Sequence, residues 1–238
     1  MTRRRWIADR VAGERAYLVA ANASHLARVL RARPGQQFDI AAEGAVRLGT
    51  IISITPEEVE FALGEVVERS TLPEFEIHVV LSIFKFDRLE WAIEKLTELG
   101  VERIIPVVAR RTEPHLAKAS ERRVERWRKL AHEAAQQSRR PDAPEILGPA
   151  LLKKAILETK GQCVVLSETE ETATLKSVLQ RGRSPLTLAF GPEGGWTAEE
   201  LQMFQEGSWR LASLGPTILR AETAAIAAVA IAMAELTS

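Results

Sequence analysis

The chain has 238 residues, 32 basic and 32 acidic side chains and an apolar content of 46%, so it can form one large globular domain or two small ones. No apolar stretch approaches the roughly 20 residues that a membrane-spanning helix needs, and the opening MTRRRWIADR lacks the apolar segment of a secretory signal. Because Cys163 is the only cysteine, a disulfide framework is excluded, and we expect a cytoplasmic protein with no membrane partner.

The first 70 residues have the pattern of a small β-barrel-like domain. Short apolar or alternating segments predict strands at 16–19, 38–41, 48–54 and 59–63. Apolar residues at helical spacing predict a helix over 22–32, which the Arg-Pro-Gly turn at 33–35 ends. A linker that contains Pro73 is predicted over 68–76, so the first domain is expected to occupy residues 1–70.

From residue 77 onward, strands alternate with helices. The continuous apolar segment 77–84 is typical of a buried parallel strand, and the amphipathic helix 87–99 and strand 103–109 complete a βαβ unit. The remaining predicted strands are 162–167, 186–190 and 209–214, and the remaining predicted helices are 120–138, 221–236 and one capped by Thr197 and Glu200. An α/β domain with a parallel sheet is therefore expected over residues 74–238.

Charge is distributed unevenly along this neutral chain. Residues 1–35 contain eight arginines against two acids, and residues 110–140 contain ten basic side chains against four acidic ones. Arginine outnumbers lysine in both segments, and its guanidinium binds phosphate through two parallel hydrogen bonds. The pattern indicates a localised anionic partner, with ordinary solvated surface as the alternative.

Two glycine-containing loops follow predicted strands near the C-terminus. GPEGGWTAEE, at 191–200, comes after one strand, and SLGPTILRAET, at 213–223, comes after the next. Ligands in α/β proteins bind at such strand ends, where glycine lets the backbone turn sharply or approach a ligand closely. The two strands are expected to be adjacent in the sheet, so we expect the two loops to form one small-molecule site.

The second loop also places Arg220 and Glu222 immediately before an apolar helix. A cation and an anion at such a position are costly to bury unless they are used, which makes both residues candidates for catalysis. A buried Arg220–Glu222 ion pair that only braces the fold is the structural alternative.

Several other functions are disfavoured by the sequence. GPEGG is followed by no Gly-Lys-Ser/Thr, as a phosphate-binding Walker A loop requires, and it lacks the G-x-G-x-x-G dinucleotide spacing. The four histidines show no metal-ligand spacing with one another or with Cys163, so no metal is expected. There is no G-x-S-x-G nucleophile motif, and Cys163 lies within a predicted strand.

Together these segments resemble the RsmE family, the bacterial 16S ribosomal RNA (uridine-N3)-methyltransferases of the SPOUT, or trefoil-knot, class. The resemblance covers nearly the whole chain. It is carried by Arg3–Trp6, the HLARVLR segment at 25–31 with Gly35, KFDR at 85–88, EKLTELGV at 94–101, Arg111-Thr112, Arg126-Trp127, AAQQSR at 134–139, GPEGG and LGPTILRAETA. One departure is Ala221, where many relatives are expected to carry threonine.

The resemblance implies a PUA-like RNA-binding barrel followed by an α/β domain whose C-terminal part forms a deep trefoil knot. It implies S-adenosylmethionine as the cofactor, 16S ribosomal RNA in the small ribosomal subunit as the partner, and a homodimer formed through the knot helices. The cofactor-binding residues would be Ser167, Gly191, Pro192, Glu193, Gly194, Gly195, Leu214, Gly215, Ile218, Leu219 and Thr223.

Arg220 and Glu222 remain the catalytic candidates, for orienting the substrate or handling its proton. The RNA-binding residues implied by the resemblance and the charge pattern are Arg3, Arg4, Arg5, His25, Arg28, Arg31, Arg88, Arg111 and Arg139. Two alternatives stay open: a related knot methyltransferase that acts on transfer RNA or a ribose hydroxyl, and a non-catalytic RNA-binding or ribosome-assembly factor.

Overall fold

The computed structural model describes residues 4–69, 75–182 and 185–237. They form two compact units: one takes in the described residues of Met1–Thr71 with Ala135–Ala143, and the other those of Leu72–Ala134 and Pro144–Ser238. None of the described helices is long and apolar enough to cross a membrane. Most of the predicted linker, including Pro73, lies outside the described residues.

The smaller unit is built on one six-stranded sheet. Its strands are β1 (Arg5–Ile7), β2 (Arg10–Ala12), β3 (Arg15–Val19), β4 (Gln37–Ala42), β5 (Ala45–Ile54) and β6 (Glu58–Arg69). Their order is β1-β4-β5-β6-β3-β2, with β1 parallel to β4 and the other pairs antiparallel. Alternate side chains face the core, as Leu18, Val59 and Phe61 do, which is the period-two pattern that predicted these strands.

The helix predicted over 22–32 has a different form. The α-helix α1 covers Ala20–Ser24 only, and a π-helical turn continues through His25–Val29, with Leu30 N donating to His25 O. This turn buries Leu26 and brings the His25 ring to 5.7 Å from the Trp6 ring. The wider turn explains the shorter α-helix, and such turns occur frequently at functional sites.

Residues 135–143 belong to the smaller unit, although the predicted boundaries assigned them to the larger domain. Ala135 is fully buried with Ile7, Ala41 and Val46. The carbonyl oxygen of Arg139 accepts a 2.6 Å hydrogen bond from Arg5 Nη1. The position of this segment is set by contacts with residues far away in sequence, and such contacts cannot be predicted from the local sequence pattern.

The larger unit contains a parallel sheet with helices on both faces. Its strands are β7 (Ile77–Ser82), β8 (Arg103–Val108), β9 (Glu145–Ile146), β10 (Ala150–Leu151), β11 (Gln162–Leu166), β12 (Leu186–Phe190) and β13 (Arg210–Ala212). Its helices are α2 (Phe86–Glu98), α3 (Pro114–Ser120), α4 (Val124–Gln137, which ends in the smaller unit), α5 (Leu152–Glu158), α6 (Leu175–Val178), α7 (Ala198–Glu206) and α8 (Ala221–Leu236). The predicted parallel-sheet α/β architecture is confirmed.

The strand order of the parallel sheet is β10-β8-β7-β12-β11-β13, with β9 also paired to β8. The two glycine loops were expected to follow adjacent strands, but β11 lies between β12 and β13: Val164 is in register with Leu188 on one side and Arg210 on the other. The crossover that places β11 in the middle leaves no trace in the local sequence.

Successive side chains along each strand point to opposite faces of the sheet, and each face packs into its own hydrophobic core. Val79 and Leu81 of β7 pack with α2, α4 and α8, where Trp127 is fully buried. Val80 of the same strand faces the opposite layer with α5, α7 and Phe204. Since both faces are covered, the strands are apolar throughout, as parallel strands usually are.

The helix predicted over 120–138 is divided in the structure. Helix α3 begins at Pro114, a 3-10 turn covers Glu121–Arg123, and α4 follows. Proline is well suited to the first turn of a helix, because its missing N–H would have no partner there. The predicted capping box at α7 is confirmed, with Thr197 and Glu200 each accepting a backbone hydrogen bond from the other.

Substituting Thr197 by alanine should lower the free energy of unfolding by about 1 kcal/mol, because it removes the acceptor of the Glu200 N–H at the start of α7. Urea denaturation measures the change. Thr197→Ser, which keeps a hydroxyl acceptor, is the control and should stay close to wild type; equal stability of Thr197→Ala and wild type would contradict the role of the cap.

Candidate active site

Four loops meet at the carboxyl edge of the parallel sheet in the larger unit. They follow β7, β11, β12 and β13, and parallel strands bring their carboxyl ends to one edge. Three of them, with residues of α2 and α8, enclose a cavity of about 430 Å³. This volume is in the range of small-ligand and cofactor sites.

Most of the predicted cofactor-binding residues line this cavity. Those that do are Ser167, Gly191, Pro192, Glu193, Gly195, Leu214, Gly215, Ile218 and Leu219. Gly194 and Thr223 are not part of the lining. Thr223 is exposed on α8, and Gly194 instead offers its carbonyl oxygen to Arg111.

The loop after β12 folds into a tight turn against β11. Gly195 N donates to Pro192 O at 2.8 Å, and Gly195 has a φ of 71°. A Cβ at Gly195 would lie 2.2 Å from Glu168 Oε1, so only glycine fits between the turn and that carboxylate. Trp196 Nε1 donates to Leu166 O at 3.1 Å and ties the turn to the end of β11.

Residues after β8 also anchor this loop. The Arg111 guanidinium donates to the carbonyl oxygens of Gly194 and Trp196. The neighbouring Arg110 N donates to Glu200 Oε1 at 2.7 Å. Arg111 was predicted to bind RNA, and the structure places its guanidinium on the glycine loop.

The loops after β11 and β13 support each other. Ser213 N donates to Ala173 O at 2.8 Å, and Leu175 N donates to Ser213 O at 2.9 Å. Within the loop after β11, Glu170 accepts the N–H groups of Ala173 and Thr172, and these hydrogen bonds lower the pKa of the Glu170 carboxyl. The second glycine loop is therefore held at the cavity by backbone pairing, and Ile218 is 85% exposed at its rim.

The charged groups at the cavity do not form the Arg220–Glu222 pair that was the structural alternative to a catalytic role. Arg88 of α2 places Nη1 2.6 Å from Glu193 Oε1 and Nε 3.8 Å from Glu222 Oε1. Glu222 is buried in the first turn of α8, whereas Arg220 lines the cavity and is exposed. The alternative of a buried Arg220–Glu222 pair is therefore wrong. Within the described parts of the chain, Arg88 is the cation paired with Glu222, and the Arg220 side chain has no ion-pair partner.

Sequence reasoning missed several residues of the cavity wall. Arg88 was assigned to RNA, and Glu168 and Trp196 were not singled out, although all three line the cavity. Glu168 lies two residues after the end of β11, and this position at a strand end is the signal by which it could have been found. The other lining residues that were missed are Leu166, Phe190, Ser213, Thr217, Ala221 and Ala224.

In the smaller unit, the candidate RNA-binding residues differ in accessibility. Arg28 and Arg31 are exposed, and the exposed Arg4 guanidinium lies 5.0 Å from the Trp6 ring centroid. Arg5 is largely buried and pairs with Glu68, and the Arg139 side chain is exposed. Arg3 lies outside the described residues.

Cys163 and possible metal ligands were the other groups to consider near the cavity. Burial raises the pKa of the Cys163 thiol to about 11, so this group is protonated at neutral pH. Over 4–69, 75–182 and 185–237, no cluster of His, Cys, Asp and Glu is arranged to hold a metal ion. The polar side chains that line the cavity are carboxylates, guanidinium groups and the hydroxyls of Ser167, Ser213 and Thr217.

Known proteins resemble this chain over most of its length. A profile of the RNA methyltransferase domain family matches residues 71–233. The chain is 31% identical over 216 residues to ribosomal RNA small subunit methyltransferase E of Bacillus subtilis, covering 86% of this chain and 84% of that protein. The protein of the same name from Mycobacterium bovis is 32% identical over 218 residues, covering 86% and 80%.

A solved structure supports the fold. Ribosomal RNA small subunit methyltransferase E from Neisseria gonorrhoeae, crystallised with bound S-adenosyl methionine, matches with a TM-score of 0.82 at 23% identity. The match covers 99% of this chain and 98% of that chain.

Substituting Arg111 by alanine should speed amide hydrogen exchange in residues 191–196 on the order of tenfold, because the glycine loop loses a charged hydrogen-bond donor. Exchange measured by mass spectrometry on the native protein tests this. Arg110→Ala is the matched control, since its contact to Glu200 uses the backbone N–H. Equal exchange rates in the two variants would show that Arg111 does not hold the loop.

Proposed function

The chain belongs to the RsmE family of ribosomal RNA small subunit methyltransferases, and from this membership we propose that it methylates the N3 atom of one uridine in 16S ribosomal RNA. It is an RNA methyltransferase that takes its methyl group from S-adenosylmethionine. The observation that carries the proposal is the cavity where both glycine loops meet, lined by most of the residues that the family motifs single out.

The residues of the cavity fit this cofactor. S-adenosylmethionine is a bulky ligand with a sulfonium and an ammonium charge, and carboxylates of Glu168 and Glu193 stand in the wall. The close approach of Gly195 to Glu168 holds that carboxylate at the cavity wall, and Ile218 and Leu219 supply apolar surface. When bound, the cofactor supplies an electrophilic methyl group.

The protein contributes positioning and proton handling. The N3 atom of uracil must lose a weakly acidic proton and meet the methyl carbon in line, and holding both partners in that geometry lowers the barrier by several kcal/mol. Arg220, exposed at the cavity rim, is proposed to orient the uridine or its phosphate. Glu222, a buried carboxylate in the adjacent first turn of α8, is proposed to take part in proton handling.

RNA binding is proposed for the exposed arginines of the smaller unit, Arg4, Arg28 and Arg31, together with His25. Guanidinium groups bind phosphate, and a base that undergoes chemistry must leave its stack, so a looped or flipped uridine is expected. Arg3 and Arg139 belong to the same proposal. Arg5, Arg88 and Arg111 are the less suitable members of the predicted set because their guanidinium groups are already bound within the protein.

Family membership also bears on the form of the smaller unit and on the path of the chain after β13. We propose that the six-stranded unit is PUA-like. After β13, at the sheet edge, the chain returns past β11 to place α8 against α2, α6 and β12. A trefoil knot also requires the chain to pass through a loop formed by an earlier segment, and we propose, from family membership, that the chain is knotted there. Work on ribosomal RNA would place the protein in the cytoplasm.

A homodimer through the knot helices is proposed from the surface of α8. This helix is apolar over most of its length, and its exposed side carries Ala230, Ile231 and Ala234. Trp91 of α2, the helix against which α8 packs, is 47% exposed. Exposed apolar side chains on two helices that pack together support the proposal, since the buried centre of a subunit interface is mainly apolar.

Incubation with labelled S-adenosylmethionine and small ribosomal subunits that lack native modifications should yield 3-methyluridine at one position, identified by mass spectrometry of nucleosides. Arg220→Ala should reduce the methylation rate on the order of 100-fold, because a charge that positions the substrate is lost, while circular dichroism stays unchanged. Label on a ribose or on another base would contradict the uridine-N3 assignment, and full activity of Arg220→Ala would contradict the role of Arg220.

Substituting Ile231 by glutamate should convert a dimer into a monomer, because the carboxylate would be buried without a partner in the proposed interface. Size-exclusion chromatography with light scattering measures the mass. Leu157→Glu is the matched control, since Leu157 is 72% exposed on α5 and outside the proposed interface. A wild-type protein that is monomeric at micromolar concentrations would contradict the dimer.

A further inference from the structure

Two of the three arginines beside the cavity are already bound within the protein. The Arg88 guanidinium lies 2.6 Å from Glu193, and that of Arg111 donates to two carbonyl oxygens of the glycine loop. Arg220 remains, exposed at the rim. An RNA strand that brings a base to the cavity also crosses the surface around it, and its phosphates are bound there by further cations.

A group of four solvent-accessible cations lies on α3 and the start of α4. They are Lys118, Arg122, Arg123 and Arg126. The chain is helical from α3 through a 3-10 turn into α4, so the side chains at 118, 122 and 126, each four residues apart, point to one side. Lys118 and Arg122 are exposed and have no ion-pair partner over 4–69, 75–182 and 185–237. We call this group the basic surface.

One carboxylate orients the other two cations of the basic surface. Glu90 of α2, whose side chain is 13% exposed, accepts hydrogen bonds from Arg126 Nε and Nη2, both at 2.8 Å. It also accepts one from Arg123 Nη1 at 3.3 Å. A guanidinium has five N–H donors, so both arginines keep donors that Glu90 does not use. Their orientation is fixed in the free protein, and less conformational entropy is then lost when a ligand binds.

The basic surface has an excess of positive charge. Among the described residues, Glu90 is the carboxylate that binds its four cations. Glu121 lies close by in sequence, but its Oε1 is directed toward Gly148 in the loop after β9. Further along α4 the charges neutralise one another in pairs, which are Arg128–Glu125 and Lys129–Glu133. The excess is therefore concentrated at the start of α4.

The first turn of α2 separates the basic surface from the cavity. Phe86 in this turn lies under Arg123, with 4.7 Å between the guanidinium carbon and the ring centroid, and it packs on Trp127. Arg88, two residues later, points to the other side of α2 and lines the cavity. Because a helix with its side chains is about 10–12 Å across, a phosphate on the basic surface lies within a few nucleotides of a base in the cavity.

We propose that the basic surface is a second RNA-binding surface, which holds the phosphate backbone of the strand that carries the methylated uridine. This inference rests on the proposed function. Guanidinium groups donate two parallel hydrogen bonds to phosphate oxygens, and Arg122, Arg123 and Arg126 supply three of them. Contacts to phosphate fix the position of a strand without reading its bases. The basic surface thus positions the RNA beside the cavity.

Two other roles for these cations make different predictions. If they only solvate the outer face of the helices, their removal leaves the affinity for RNA and its salt dependence unchanged. If they bind an acidic segment of a ribosomal protein, removal affects binding to assembled subunits alone. If they bind phosphates, fewer counterions are released from the RNA on binding when cations are lost, so the affinity falls less steeply with salt.

The test is the affinity of the native protein for naked 16S ribosomal RNA and for unmodified small subunits, measured over a series of salt concentrations. In the double variant Lys118→Ala, Arg122→Ala, no ion pair among the described residues is lost, so the fold should persist. The slope of log affinity against log salt should be smaller than that of wild type by about one for each cation removed. Arg126→Gln, which keeps an amide donor for Glu90, should lower the slope by about one.

The double variant Lys153→Ala, Arg181→Ala is the matched control, because it removes one exposed lysine and one exposed arginine from α5 and from the turn after α6. Its slope should stay close to that of wild type. A wild-type slope in the Lys118, Arg122 variant with both RNA and subunits would overturn the inference, and so would a change with subunits alone.

Methylation is scored separately on the same samples. If wild type forms 3-methyluridine and the slopes do not differ, the proposed function stands and the basic surface is overturned. If wild type forms none while the slopes differ as expected, the proposed function fails and the RNA-binding surface stands.

Discussion

The parallel pairing of β7, β12, β11 and β13 is the constraint on which the site depends. Because these strands point the same way, the loops that follow them meet at one edge, although they are separated by up to about 130 residues in sequence. Burial of both faces of the sheet fixes the register of the strands. The cavity is therefore a consequence of the sheet, and the glycine loops have only to occupy its edge with the right local geometry.

The loops themselves are rigid for identifiable reasons. Trp196 is buried between the end of β11 and Phe204, and its indole N–H is satisfied by Leu166 O. Arg111 binds the carbonyl oxygens of Gly194 and Trp196, and the Thr197–Glu200 cap fixes the point where the same loop enters α7. These contacts hold the cavity wall in place, and an enzyme that positions two substrates for reaction depends on such a wall.

The sequence predicted the elements better than their arrangement. Strands such as Leu186–Phe190 and helices such as Ala221–Leu236 have the predicted bounds, because continuous apolar segments and clear helix boundaries are local signals. The position of β11 between β12 and β13 and the packing of 135–143 on the smaller unit depend on contacts between distant residues. Local pattern contains no record of such contacts.

The same distinction holds for the site. Glycines and strand ends identified most of the cavity lining, but the only partner considered for Glu222 was Arg220, its neighbour in sequence, as the structural alternative to a catalytic role. The structure supplies Arg88, more than 130 residues earlier in the chain, because α2 and α8 pack side by side. Ion-pair partners are chosen by packing, so proximity in sequence was a misleading guide.

The most direct test of the account is amide hydrogen exchange of the native protein with and without S-adenosylmethionine. If the two glycine loops form one cofactor site, the cofactor should slow exchange in residues 191–196 and 213–220 together. Exchange in residues 147–151, at the outermost strand β10 on the side of the sheet away from β13, should stay unchanged. Protection of only one loop, or protection at 147–151 instead, would contradict the single site at the carboxyl edge.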